Sequence, residues 1–432
     1  MEQTFEAEPL LEDSSPSYAL DPTRGVETSP ITEVPNTEVP LTTEVPLTAE
    51  AEAMGQPSII EIPLTAEVIG ADLVNDSVLT DALTDTTDYH NIYAALTIKE
   101  ARLLYGEALA DAASIEELQN CLDKNVWEFL DIDYRTVKAI PSKMFLTPKK
   151  KPNGEVERIK GRIVAGGHRQ DRSLFQESDI SSPTVALTSV FATAALAAKC
   201  NSFVMTLDHK GAYLNADIEG PPVVMLLDAG VVAVLCKMDS KYNKFVRKDG
   251  KIVVRLKKAL YGCIQSAVLW YKELGSTIMS LGFISNPYDI CSYTRNRNDS
   301  VDTILIYVDD LFKTSDSNDV LTNIADALKL KYGAVTSHTG LQHDFLGIHW
   351  DFSISSEVSL SMKGYLKDIM RKYNVTRKSK TPATDKLFTT DINSPLLSNV
   401  KREEFHSAVM TLHYLAKRIQ PDILTAVSCQ ER

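Results

Sequence analysis

The spacing of apolar and polar positions changes character near residue 96. Before that point Val, Leu and Pro recur with neither helical nor alternating spacing, and Thr-Glu-Val-Pro returns at 32–35, 37–40 and 43–46. From Thr97 onward the pattern is periodic. Residues 98–110 and 114–129 carry the spacing of amphipathic helices, and Ser114-Ile115-Glu116-Glu117 fits a capping box. Residues 140–172 read as strands around Lys151-Pro152-Asn153-Gly154, where Asn-Gly favours a hairpin. A helix of small residues over 184–199 precedes a strand, 203–207, that ends on Asp208. A helix over 264–281 comes next, then strands 303–308 and 311–314 with Asp309-Asp310 between them. Helix 318–331, strands near 344–353 and 357–361, and helices 363–373 and 402–418 complete the series. Helices and strands mix without a regular βαβ repeat, so the expected class is α+β.

Composition sharpens the boundary. The chain has 432 residues and a net charge of −13, but the charge is unevenly placed. Residues 1–95 hold 19 Asp and Glu against Arg24 alone, leaving the remainder with 44 Lys and Arg against 39 Asp and Glu. Nine of the 19 prolines precede residue 65, and aromatics are scarce there. Such a segment buries too little apolar surface to offset its ordering entropy, so 1–95 is expected to be a disordered acidic linker. A docking tail for a basic partner is the alternative. The longest apolar stretch, 185–198, is shorter than a membrane helix and contains Thr188, Ser189 and Thr193. Six widely separated cysteines form no CxxC, and the N-terminus lacks a secretory pattern, which points to reduced thiols in an intracellular protein.

The chemistry concentrates in three aspartates. Ile304-Leu305-Ile306-Tyr307-Val308-Asp309-Asp310-Leu311-Phe312 places two carboxylates inside an apolar segment, a costly arrangement unless a turn or a cation relieves it. Asp208 ends another apolar strand. If those strands are neighbours, the three acids converge within reach of two divalent ions, and hard oxygen donors favour Mg²⁺, with Mn²⁺ as substitute. A plain hairpin turn and a helix N-cap at Asp208 are the alternative reading of the same residues. Residues 141–172 add nine Lys and Arg against Glu155, Glu157 and Asp171, a face suited to phosphates. His338, His343 and His349 match no common ligand spacing.

The segment Leu207-Asp208-His209-Lys210-Gly211-Ala212-Tyr213-Leu214-Asn215 resembles the first palm motif of copia-type retrotransposon reverse transcriptases, and Tyr307-Val308-Asp309-Asp310 is similar to their active-site hairpin. Arg162-Ile163-Val164-Ala165, Ser182-Pro183-Thr184, Arg255 to Gly262, Trp270-Tyr271, Leu281-Gly282-Phe283, Phe345-Leu346-Gly347-Ile348, Tyr414-Leu415-Ala416 and Pro421-Asp422-Ile423 follow the family's order over roughly 98–429. The resemblance implies a right-hand polymerase fold of fingers, palm and partial thumb or connection. It divides the chain into a linker, 1–95, a fingers–palm–thumb body, 96–375, and a connection, 376–432, leading toward ribonuclease H. It implies RNA-directed DNA polymerisation, with a primed RNA or DNA template and deoxynucleoside triphosphates as substrates. Integrase and ribonuclease H parts of a longer polyprotein are implied as partners, and no membrane. By matching position Asp208, Asp309 and Asp310 would hold the metals, with the His209 carbonyl as a further ligand. Tyr213 would lie under the sugar, Gln265 would contact the nucleotide, and Lys160 and Arg162 would bind the triphosphate. The sequence departs from the family at Cys263-Ile264-Gln265-Ser266-Ala267, where a cation and a proline are missing, and His209 replaces a common valine. A degenerate relic that binds nucleic acid without polymerising is therefore the second reading.

Overall fold

The computed structural model describes residues 96–133, 137–150, 156–298, 300–333, 335–389 and 394–430. The acidic segment and the Lys151–Gly154 turn expected from the sequence lie outside these residues.

The first described elements are helices α1 (Ile98–Tyr105) and α2 (Glu107–Asp123) and strands β1 (Trp127–Leu130), β2 (Ala139–Lys150) and β3 (Val156–Ala165). The helix start lies elsewhere than the sequence suggests. Thr97 and Glu100 form the capping box, and Gly106, at φ 86°, separates the two helices. Ser114 instead lies inside α2, buried, with its hydroxyl donating to the Ala110 carbonyl at 2.8 Å. A Ser-x-x-Glu pattern satisfies a helix interior as well as a start when the hydroxyl can bond back one turn.

The chain continues through α3 (Leu187–Lys199), β4 (Phe203–His209), β5 (Val224–Leu227), α4 (Ala229–Met238), β6 (Ile252–Leu256) and α5 (Ser266–Ser280). It then forms β7 (Ile284–Asn286), β8 (Asp289–Arg297), β9 (Ser300–Tyr307), β10 (Asp310–Ser315) and α6 (Asn318–Tyr332). The last elements are β11 (Val335–Thr339), β12 (Gln342–Phe345), β13 (Ile348–Asp351), β14 (Ser359–Ser361), α7 (Lys363–Lys372), α8 (Asn399–Ala416) and α9 (Leu424–Gln430).

Two sheets organise these elements around separate cores. A five-stranded sheet in the order β1-β6-β5-β2-β3 is mixed, with β2 and β5 parallel. Its core gathers Leu118, Leu146, Ile163, Met225, Leu235 and Ile252. A six-stranded antiparallel sheet in the order β11-β4-β10-β9-β8-β7 packs on α3, α5 and α6 through Val190, Trp270, Leu274, Phe312, Ile324 and Leu328. This is the α+β arrangement of fingers and palm. A small sheet, β12-β13-β14, adjoins the palm.

Asp302 pins the palm register. Its carboxylate is fully buried and accepts from Arg295 Nε at 3.1 Å, Arg297 Nε at 2.7 Å and Ser315 Oγ at 2.7 Å. Burial pushes this acid up, but the bonds from Arg297, Ser315 and Arg295 outweigh it and leave it below the usual carboxylate range. A one-residue slip would bury that charge without partners, so the register of β8, β9 and β10 is fixed far from Tyr307.

Candidate active site

Strands β4 and β10 lie side by side, and the ladder pairs Asp208 directly with Asp310. Residues directly opposite in an antiparallel pair have Cα atoms ~4.5–5.5 Å apart and side chains on one face. Asp309 sits in the adjoining turn, where its carbonyl accepts the His209 N–H at 3.0 Å. Burial raises Asp309, with Asp208 adding to the effect and Arg162 and Lys160 opposing it. Burial and the charges of Asp309 and Asp208 push Asp310 up to about 6. Asp208 and Asp310 are thus paired across the ladder with Asp309 one position away, and the charges of the neighbouring acids act on Asp309 and Asp310. That all-oxygen set suits Mg²⁺ or Mn²⁺. Among the described residues no three His, Cys, Asp or Glu are gathered into a ready-made metal cage.

The turn that carries the acids is strained. Val308, a β-branched residue, has φ 58°, a conformation that costs of order 1–3 kcal/mol outside glycine. Trp270, fully buried in α5, donates its Nε1 to the Val308 carbonyl at 2.8 Å and holds the turn in place. His209 is buried edge-on to Trp270 and Tyr332, at 5.3 and 5.5 Å between ring centres. Burial, helped by Lys313 and Lys124, pushes its imidazole down to about 4, so it is neutral at pH 7.

A cavity of about 580 Å³ opens between α2, β3 and the loop after β4. Lys160, Arg162, Lys210, Lys124 and Tyr261 line it. Burial and the neighbouring Arg162 pull Lys160 below its ordinary range, which Asp208 partly offsets. The Arg162 guanidinium lies over the Tyr261 ring, 5.3 Å from its centre, and Tyr213 packs on the same ring at 4.8 Å. Burial raises the Tyr213 hydroxyl, with Asp309 adding and Arg162 opposing. The structure thus gathers Lys160 and Arg162 on one wall, and Tyr213, packed on the ring that Arg162 covers, feels the charges of both Asp309 and Arg162. Gln265 stands apart from this cavity. It is buried at the start of α5 and lines a smaller cavity of about 180 Å³ with Phe175, Asp179, Glu219 and Lys272.

Several site residues escape sequence reasoning. Glu117 accepts the Ile163 N–H at 3.1 Å and is raised by burial, against the opposing effects of that bond and of Lys160 and Arg162. Lys124 bonds Asn215 and the Tyr332 carbonyl. Gln170 joins the loop before α5. The one available signal was Gly161, a glycine between two cations in a strand, which marks a close backbone approach. The cluster of His338, His343 and His349 has a structural account. His338 and His343 bond the Gln342 and Gly340 carbonyls, and His349 pairs with Asp344. Among the described residues no helix is long and apolar enough to cross a membrane.

A family model described as reverse transcriptase (RNA-dependent DNA polymerase) matches residues 124–385, more than half of the chain. The chain is 26% identical over 320 residues to the retrovirus-related Pol polyprotein from transposon RE1 of Arabidopsis thaliana, a match covering 72% of this chain and 20% of that protein. It is 27% identical over 316 residues to the corresponding RE2 polyprotein of the same plant, covering 72% and 20%. A Ty1-GR1 Gag-Pol polyprotein of Saccharomyces cerevisiae is 26% identical over 279 residues, covering 61% and 14%. The chain spans about a fifth of the length of the Arabidopsis relatives. With its ordered palm motifs and paired aspartates, the chain belongs to the reverse transcriptase (RNA-dependent DNA polymerase) family.

Proposed function

We propose that this chain is the polymerase part of a copia-type Pol protein and extends a primer on an RNA or DNA template with deoxynucleotides. The observation that carries this reading is the pairing of Asp208 with Asp310 across the ladder, with Asp309 in the adjoining turn. In the reaction the primer 3′-oxygen forms a bond to the α-phosphate, the bond to the β,γ-phosphates breaks, and pyrophosphate leaves. Divalent cations held by Asp208, Asp309 and Asp310 would activate the primer hydroxyl and balance the charge developing on the leaving group. Lys160, Arg162 and Lys210 bind the triphosphate in the larger cavity, where fixed cations favour the developing charge without reorganising. Tyr213 lies under the sugar and leaves no room for a 2′-hydroxyl. Gln265 contacts the nucleotide from the smaller cavity. Residues 96–375 form the fingers, palm and thumb, and 376–432 the connection.

The 432-residue chain should extend a primed RNA template with Mg²⁺, and Asp309→Asn should abolish extension. Equal extension by the variant overturns the reading. The loss of a cation and a proline at Cys263-Ile264-Gln265-Ser266-Ala267 favours a second reading, a protein that grips nucleic acid without copying it. Tight, salt-sensitive duplex binding without incorporation in either Mg²⁺ or Mn²⁺ would select that one.

A further inference from the structure

Gln265 sits in a chain of hydrogen bonds whose polarity is set by a backbone amide. The Ile264 N–H can only donate, and it donates to Gln170 Oε1 at 2.9 Å. That places the Gln170 amide nitrogen on the other side, where it donates to Gln265 Oε1 at 3.0 Å. The acceptor of Gln265 is therefore used, and its Nε2 is left over. This nitrogen is buried and finds no partner among the described residues, although Gln265 as a whole is 2 % exposed. A buried amide donor without a partner is costly in a finished protein and economical in a site completed by a ligand oxygen.

The backbone around this relay is built for it. Gln170 and Gln265 are far apart in sequence, yet the Ala165 N–H donates to the Tyr261 carbonyl at 2.7 Å. A Cβ on Gly167 would collide with the Gly262 carbonyl, and a Cβ on Gly262 with the Ala165 carbonyl. Two glycines thus let the end of the fingers strand lie against the loop before α5, which brings Gln170 within reach of Ile264.

We propose that Gln170 is a positioning residue that holds the Gln265 carboxamide with its N–H donor, rather than its carbonyl, facing the incoming nucleotide. This rests on the polymerase reading above. A nucleotide carries acceptor oxygens on its sugar and base as well as on its phosphates, so the direction of the amide decides whether Gln265, standing apart from the triphosphate cavity, attracts or repels it. Gln170→Glu tests the direction. The carboxylate still accepts from Ile264 but has no donor for Gln265, whose amide then turns over and presents its oxygen.

The measurement is steady-state primer extension by the full chain at pH 8 with dTTP varied on a primed RNA template. Gln170→Glu should raise KM for dTTP about tenfold with kcat within about twofold. Gln170→Leu buries no charge and merely frees the amide, so it should raise KM about threefold. In the Gln265→Leu background, Gln170→Glu should add nothing, because its effect runs through Gln265. An unchanged KM in both Gln170 variants, or additive losses in the double variant, overturns the assignment while wild-type extension leaves the polymerase reading standing. Absence of any incorporation by the wild type overturns the polymerase reading, and the assignment falls with it.

Discussion

Lys313 lies on β10 just past the aspartate pair, fully buried, with its ammonium donating to the Leu321 carbonyl at 3.3 Å. Burial pushes it down to about 7, with Asp326 offering partial relief. The charged form is the one the fold disfavours. Above the ordinary lysine range, near 10.4, folded and unfolded chains are both neutral and no cost arises. The cost grows as pH falls from there and is complete below about 7. Lys313→Met should therefore stabilise the protein by roughly 2 kcal/mol at pH 7, with the gain shrinking toward pH 10, read from urea unfolding at several pH values. A gain independent of pH would show that the ammonium is not the source. Visibility in sequence follows the same logic at this scale. Asp309-Asp310 stood out because charge inside an apolar run is improbable by composition. Val308 gave no such sign, since its positive φ is imposed by the turn and by Trp270 from another element.

Helix α2 and strand β3 meet where Gly161 separates Lys160 from Arg162. A Cβ at Gly161 would stand 2.7 Å from the Ala113 carbonyl and 3.2 Å from the Glu117 Cβ, and both neighbours belong to the helix. The helix cannot yield there without releasing the Ile163 N–H from Glu117. Gly161→Ala should cost about 2 kcal/mol, by analogy with overpacked cores, and should raise KM for nucleotide by spreading the two cations. Thermal unfolding and primer extension check the two effects separately, and an unshifted melting temperature would mean the contact is looser than drawn. The palm elements were legible because their apolar runs are long and β9 and β10 are neighbours in sequence. The fingers were less so. Strand β5 and helix α4 lie in a stretch without a clear motif, and β5 pairs in parallel with β2 only after the chain has passed through β4 of the palm. Local periodicity carries no record of such a distant pairing.

At the scale of the molecule the charge asymmetry becomes an energetic question. Residues 1–95 carry a net charge of −18, and the rest of the chain is mildly basic. A duplex is a polyanion, and binding it releases counterions in proportion to the phosphates that protein cations neutralise. By charge alone, a covalently attached acidic segment within reach of those cations would compete for them at high effective concentration and would repel the duplex. Deleting 1–95 removes none of the described core residues of either sheet. The truncated protein should thus bind a primed template more tightly at low salt, by about tenfold near 50 mM, and should lose affinity more steeply as salt rises. The two curves should converge near 0.5 M, where screening hides both the arm and the phosphates. Parallel curves at every salt concentration would mean that the arm is too distant from the basic wall to compete, and that its charge serves solubility or another partner.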